Sequence, residues 1–454
     1  MLEVPLNRSS KLPLYRQIAI HLERMIQVGA LSVGEQLPGT RRFADNLGVS
    51  RMTVIEAYRV LEDQGLLIQR GRSGAYVTGA SRCVEKGDDP DVALWIMNGE
   101  APTPNLMPVS ALTAIVRDVL CRDVAVALGE SPLEGFPDLR HALVAHGASR
   151  GIPADWRDVV LTSGGRQGLM VSFASLRRVG VRTVLMDWFN YPDAPVMARE
   201  AGLRVLPFPR LGDPREAMEC IEADGAVYLV PSFANPTGAT MDGALRESIL
   251  ALARRRSIWI VEDDAYGELR YGDTSVPALR ALDDGHRILY LGSFSQALFP
   301  GLRLGYALVP DELRPMFLLS LNCCGGPPSS LIQHVVRWFI TSGGLASALE
   351  RTRVEMACRM GLLCSELGYR FSRPFLRPQG GIYLWFESPG IDGDQAQDLA
   401  REEGVLVSSG RRFALNGESV SAVRLSVSGI SAQEIPQAAA ALSHAWKGAL
   451  DQER

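Results

Sequence analysis

Apolar positions along the chain follow two different rhythms. In the first eighty residues they recur at helical spacing. Ile18, Leu22, Met25 and Ile26 share one face of a segment at 14–28, which Gly29 ends. Phe43, Ala44 and Leu47 share a face at 40–47, and Val54, Ala57, Tyr58 and Leu61 form a stripe from 51 to about 64. Gly48-Val49-Ser50 makes a turn between the last two, with Ser50 placed to cap the third helix. Residues 66–70 and 75–78 then alternate as two strands around Gly71-Arg72-Ser73-Gly74, a hairpin with a basic tip. Helix, helix-turn-helix and wing, in that order, are the parts of a DNA-binding head. Its third helix would enter the major groove by its capped end, where Ser50, Arg51, Met52 and Thr53 stand, while Arg41, Arg42, Arg70 and Arg72 are candidates for phosphate contacts.

From about residue 95 the rhythm changes to short apolar runs separated by helical stretches. The runs lie at 159–162, 183–186, 226–230, 258–261 and 288–291. Buried strands spaced by helices predict an α/β fold with a mostly parallel sheet covered on both faces. Ligands of such sheets bind beyond the carboxyl ends of the strands, so the residues after each run carry the chemistry. Ser163-Gly164-Gly165-Arg166-Gln167-Gly168 is a Gly-rich turn into a helix, suited to a phosphate. Later runs lead into Asn235-Pro236-Thr237-Gly238, Glu262-Asp263-Asp264-Ala265-Tyr266 and a segment from Ser293 to Tyr306 that contains Ser295, Gln296 and Arg303. Residues 423–426 read as a strand with Arg424 at its centre, and a buried arginine needs an anionic partner. The polar stretch 80–94 lacks either period and reads as a linker, which divides the chain into a head at 1–79 and a large domain at 95–454.

Composition narrows the function classes. An apolar fraction of 46% and a charged fraction of 22% are those of a folded globular protein. No run approaches a membrane span and the N-terminus lacks the apolar core of a signal peptide, so a cytoplasmic protein without membrane contact is expected. The seven cysteines show no C-x-x-C pair, and neither a disulfide framework nor a metal site is expected. The net charge of −4 is unevenly spread: residues 1–80 carry +3 and the remainder −7, which places the positive field on the head. Only Lys11, Lys86 and Lys447 are lysines, so residues 87–446 contain none.

Two resemblances arise from these motifs. The stretch LPGTRRFADNLGVSRMTVIEAYRVLEDQGLL resembles the winged helix of the GntR regulators, with Gly39 where that family often has Ser. The motif series after residue 95 resembles fold-type I pyridoxal-phosphate aminotransferases, and the two together resemble the MocR subgroup of GntR regulators. The resemblance implies an aminotransferase-like large domain with a smaller C-terminal α+β subdomain. It also implies a homodimer, paired head to tail, on double-stranded operator DNA. Roles carry over residue by residue. Asp263 would face the pyridine nitrogen, and Tyr266 and Asn235 the ring hydroxyl. Ser293, Ser295, Arg303 and the amides of Gly165 and Arg166 would hold the phosphate. Tyr191 would stack on the ring, with Phe189 as the alternative, and Arg424 would clamp the carboxylate of an amino-acid ligand.

One position departs from the family. The lysine that holds the cofactor covalently follows Ser-Phe-Ser, seven residues before the phosphate-binding arginine, and here that position is Gln296. A carboxamide nitrogen is neither a nucleophile toward an aldehyde nor a base, so no covalent cofactor, no catalytic residue and no transaminase turnover are expected. The sequence leaves three ligand readings open: a non-covalent vitamer, a preformed cofactor–amino acid adduct, or an unrelated effector. The leading function is a regulator whose large domain senses such a ligand. An enzyme with a DNA-binding appendage and a plain dimerisation scaffold are the alternatives.

Overall fold

The computed structural model describes residues 4, 13–27, 31, 34–63, 66–69, 74–77, 95–101, 109–122, 124–208, 213–272, 277–283, 287–296, 298, 300–371, 374–388 and 390–450. The expected linker at 80–94 and the wing-tip residues Arg70 and Arg72 lie outside the described residues. The chain divides into two compact units, Met1–Asp91 with Val109–Thr113, and Val92–Pro108 with Ala114–Arg454.

In the first unit α1 (Leu14–Gln27), α2 (Thr40–Leu47) and α3 (Arg51–Asp63) are followed by strands β1 (Leu67–Gln69) and β2 (Ala75–Val77). The apolar stripes meet in one small core, in which Ile18, Leu22, Phe43, Val54, Ala57 and Leu61 are fully buried. Gly48 ends α2 with its amide on the last carbonyls of that helix. Ser50 then caps α3, its Oγ accepting from the Thr53 amide at 3.1 Å. β1 and β2 pair antiparallel with Leu67 opposite Val77 and Ile68 opposite Tyr76, so Leu67 and Val77 point into the core while Ile68 is exposed.

The second unit is built on a seven-stranded sheet of β4 (Val159–Thr162), β5 (Thr183–Asp187), β6 (Arg204–Phe208), β7 (Ala226–Leu229), β8 (Trp259–Asp263), β9 (Ile288–Ser293) and β10 (Gly305–Leu308). Their spatial order is β4-β10-β9-β8-β7-β5-β6. All neighbours run parallel except β10, which is antiparallel to both β4 and β9. β6 and β10 do not stand out in the apolar pattern. β6 is an edge strand with only Phe208 buried, and β10 follows so closely on Arg303 that it reads as part of the same motif. Apolar cores lie against both faces of the sheet, as a largely parallel sheet requires.

The C-terminal part adds an antiparallel sheet of β11 (Tyr383–Glu387), β14 (Ala422–Ser426) and β13 (Ser408–Ser409), in the order β11-β14-β13, and a short parallel pair of β3 (Trp95–Ile96) with β12 (Val405–Leu406). The helices Gly344–Arg370, Gly393–Glu402 and Ile435–Leu450 belong to this α+β part. Trp446 ties its last helix down: the indole stacks on Phe386 at 5.6 Å, and its Nε1 donates to the Ala396 carbonyl at 2.9 Å. Truncation there removes a large buried ring and orphans that carbonyl. Trp446→Ala is expected to lower the stability of the large unit by ~3–5 kcal/mol, read as a shift of its urea transition; a shift under ~1 kcal/mol would show that this contact is dispensable.

Candidate functional site

The carboxyl end of β8 carries three consecutive acids, and the pleat sends them to different surroundings. Glu262 is buried and accepts the amides of Leu279 and Arg280 at 2.7 and 2.8 Å. Burial raises its carboxyl to about 7 against these bonds. Asp264, on the same side, is gripped by Arg150 at 2.7 Å and by the Tyr290 hydroxyl at 2.8 Å. Asp263 points the other way. It accepts from the Tyr228 hydroxyl at 2.8 Å and the Ala265 amide at 3.2 Å, and among the described residues no cation pairs with it. Burial raises its carboxyl to about 6, the Tyr228 bond pulling the other way. A buried acid without a cation suits a ligand that brings a protonated nitrogen.

The turn after β4 has free backbone amides of the kind that suit an anion. Gly164 ends the turn after β4 at φ 87°, and the helix Gly165–Arg178 begins without a side-chain cap, so its first amides have no intrahelical acceptor. A side chain on Gly164 would meet the Arg303 guanidinium at 3.6 Å, and one on Gly165 would meet Ser293 Oγ at 3.7 Å. Those two glycines, Ser293 and Arg303 are therefore neighbours, and the Ser295 amide donates to Ser293 Oγ at 3.3 Å. The Ser163 amide is taken by Gln167 Oε1 at 2.6 Å. The Arg166 side chain turns to Asp193 at 2.8 Å, leaving its amide, not its guanidinium, as its contribution to this turn.

Arg424, in the middle of β14, is fully buried. Its Nη1 donates to Asn235 Oδ1 at 3.0 Å and its Nη2 to the Asn98 carbonyl at 3.2 Å, while its Nε has no partner among the described residues. The guanidinium lies over the rings of Tyr383 at 4.1 Å and Phe413 at 4.6 Å. The nearest carboxylate among the described residues is Glu100, whose Oε1 stands 4.0 Å from Nη2 and is shared with Arg412 at 3.1 Å. Neutral partners leave the positive charge of Arg424 largely uncompensated, as an anion site requires. The Tyr266 hydroxyl meets that of Tyr383 at 3.3 Å. Burial raises Tyr266 well above its usual range, and both Arg424 and Asp263 are close enough to act on it. Gln296 donates through Nε2 to the Glu100 carbonyl at 2.7 Å, and its buried Oε1 has no partner among the described residues.

The structure thus brings Gly165, Arg166, Asn235, Asp263, Tyr266, Ser293, Ser295, Gln296, Arg303 and Arg424 to one end of the sheet. Of the two candidate stacking residues, Phe189 is buried against Trp385 with ring centres 4.8 Å apart, whereas Tyr191 is only partly buried and donates its hydroxyl to Asp193 at 2.6 Å. Tyr228, Tyr383 and Glu100 escape notice in the sequence, the first two because they sit inside apolar strand runs. In the head, Arg41, Arg42, Arg51 and Met52 are exposed, Met52 to 67%, and Arg51 Nε reaches Thr40 Oγ1 at 3.4 Å. Among the described residues no cluster of acidic, His or Cys side chains suits a metal ion, and no helix is long and apolar enough to cross a membrane.

A winged helix-turn-helix ahead of a fold-type I aminotransferase architecture is the class these features define. The model for aminotransferase class I and II matches residues 126–442, and that for the gntR family of bacterial regulatory proteins matches residues 14–77. The chain belongs to the aminotransferase class I and II family and, by the GntR-type domain joined to it, to the MocR-type DNA-binding transcription regulators. It is 29% identical to the probable rhizopine catabolism regulatory protein MocR of Rhizobium meliloti, over 77% of this chain and 76% of the relative. It is 29% identical to the transcriptional regulator TauR of Rhodobacter capsulatus, over 94% and 96%. Among solved structures it resembles the alpha-aminoadipate aminotransferase LysN of Thermus thermophilus, complexed with N-(5'-phosphopyridoxyl)-L-leucine, at a TM-score of 0.72 and 28% identity over 79% of this chain and 93% of that one.

Because the folded value of Asp263 lies above the unfolded one, near 3.8, its buried charge costs stability above about pH 6, and the cost fades as pH falls towards 4. Without added ligand, Asp263→Asn protein should therefore melt at a higher temperature than the parent at pH 8, with the gap closing by about pH 4. Equal melting at pH 8 would show that the charge is compensated.

Proposed function

We propose that the large unit is a sensor that holds a pyridoxal-type vitamer without a covalent bond, as pyridoxal phosphate, pyridoxamine phosphate or an adduct with an amino acid, and that it does not turn over. The observation that carries this reading is the combination of a preserved polar cage with Gln296 at the position of the cofactor-bonding lysine. No other lysine occurs at 87–446 to take its place. Bound in such a site, the vitamer supplies an electron-withdrawing ring that fixes the ligand's charge pattern. The chain's own residues bind and orient it. Asp263 receives the protonated ring nitrogen, and Tyr266 and Asn235 face the ring hydroxyl. The first amides at Gly165 and Arg166, with Ser293, Ser295 and Arg303, hold the phosphate. Tyr191 covers the ring face and Arg424 takes a carboxylate. A carboxamide at position 296 cannot move a proton, which supports sensing over turnover.

In the same reading the protein acts in the cytoplasm as a homodimer on operator DNA, with the subunits paired head to tail. The exposed first turn of α3 presents Arg51, Met52 and Thr53 to base edges, with Ser50 as its cap, and Arg41, Arg42, Arg70 and Arg72 serve the phosphates.

Calorimetric titration of the full chain with pyridoxal phosphate, followed by borohydride reduction and peptide mapping, tests the sensor. Saturable binding with no reduced adduct at residues 87–446 is expected; absence of binding would mean an unrelated effector. Gln296→Lys protein should acquire a borohydride-reducible adduct at that residue. On the DNA side, Arg51→Ala should cost about 1–3 kcal/mol on the cognate operator and little on random DNA in a fluorescence anisotropy titration, whereas Arg42→Ala should weaken both alike. Unchanged operator affinity in Arg51→Ala would remove α3 as the reading element.

A further inference from the structure

The loop between β5 and the helix Asp193–Glu200 is fastened along its backbone. The Asn190 amide donates to the Phe413 carbonyl and the Leu415 amide to the Trp188 carbonyl, both at 2.9 Å, and the Tyr191 carbonyl accepts from the Ala194 amide at 3.0 Å. On such a backbone Tyr191 keeps only the two torsions of its own side chain. Its ring packs against the apolar cluster on one face of the sheet but stays only partly buried. The tip of that ring is tied as well. The phenol donates to Asp193 Oδ2 at 2.6 Å, and the same oxygen meets Arg166 Nη1 at 2.8 Å. Burial, and then this bond, hold the phenol well above its usual range, so it stays protonated and goes on donating.

Arg166 stands in the first turn of the helix Gly165–Arg178, where backbone amides suit a phosphate, and its guanidinium reaches across to the start of the next helix. One residue thus offers its amide to the turn and its side chain to the acid that holds Tyr191. The phenol is close enough to act on Tyr228, whose hydroxyl donates to Asp263. Glu100, the nearest carboxylate to Arg424 among the described residues, is close enough to act on the phenol. Tyr191 therefore lies within electrostatic reach of groups at both Asp263 and Arg424. We infer that Asp193, anchored by Arg166, is the positioning residue that sets Tyr191 against the ring of the bound vitamer. This inference rests on the reading that the site holds a vitamer. With its side chains 57% and 34% exposed, the Arg166–Asp193 pair adds little to folding stability, so its effect falls on the ligand.

The test is calorimetric titration of the full chain, parent and variants, with pyridoxal phosphate. Asp193→Ala and Tyr191→Phe should each weaken binding about fivefold or more, and the double variant should bind no more weakly than either alone, because both changes remove the same bond. Asp193→Asn keeps an acceptor for the phenol and loses the charge at the helix start, and should stay within about twofold of the parent. Arg166→Ala, which keeps the amide, should fall between the parent and Asp193→Ala; affinity equal to the parent's would take Arg166 out of the device. Additive losses in the double variant, or an Asp193→Asn protein as weak as Asp193→Ala, overturn the positioning role and assign Asp193 to the helix start instead. Parent-like affinity in Tyr191→Phe also overturns it and leaves the vitamer reading standing, whereas a parent that binds no pyridoxal phosphate overturns both. Tyr191→Phe keeps every apolar contact of the ring, so that comparison decides even where Asp193→Ala does not fold.

Discussion

A sheet buried on both faces leaves charge only one place to go. Apolar side chains cover the seven strands above and below, so polar groups that start within a strand must be delivered at its end, and the acids of β8 show how strictly this is done. Glu262 and Asp264 are satisfied by two amides and by an arginine with a tyrosine. Asp263, between them in sequence and opposite in direction, is held among the described residues by neutral donors. The alternation of the pleat thus separates two structural carboxylates from one that waits for a cation.

The structural acids are part of a wider buried network. Glu268 is gripped by His146 at 2.7 Å and by Arg353 at 3.0 Å, and Arg150 lies 3.6 Å away while also holding Asp264. Burial opposes the charge of Glu268, yet the His146 bond and the two arginines hold its carboxyl down at about 2. Breaking one member would strand a charge in the interior, so the network resists movement at the ends of β8 and β9. The contrast with Arg424 is physical. Arg150 has carboxylates on two sides at close range, whereas Arg424 is buried among amide and carbonyl oxygens and aromatic faces, with one shared carboxylate at 4.0 Å.

Gln296 stands where these two kinds of polar group meet. It keeps a hydrogen bond to the backbone of the segment at 95–101, in place of the strong donor and nucleophile that a lysine would supply. In the proposed reading one side chain changes what the pocket does with a ligand: the groups that grip are kept, and the group that reacts is replaced.

The sequence alone determined the parts whose causes are local. Helical stripes at i, i+3 and i+4 delivered α1, α2 and α3, and Ser50 capped α3 as its position before the apolar stripe predicts. Continuous apolar runs delivered β4, β5, β7, β8 and β9, and the polar motifs after them marked which strand ends carry polar groups. Tertiary structure decided the partners, because these lie far apart in the chain and depend on register and crossover. It inserted β10 antiparallel between β4 and β9 and placed β6 at an edge, where its polar residues tolerate solvent. It set Arg424 on Asn235, Tyr228 on Asp263 and the Glu100 carbonyl on Gln296, and it buried Phe189 against Trp385, leaving Tyr191 as the more open aromatic. Periodicity reports which face of an element is apolar; it carries no record of which distant atom will satisfy a buried polar group.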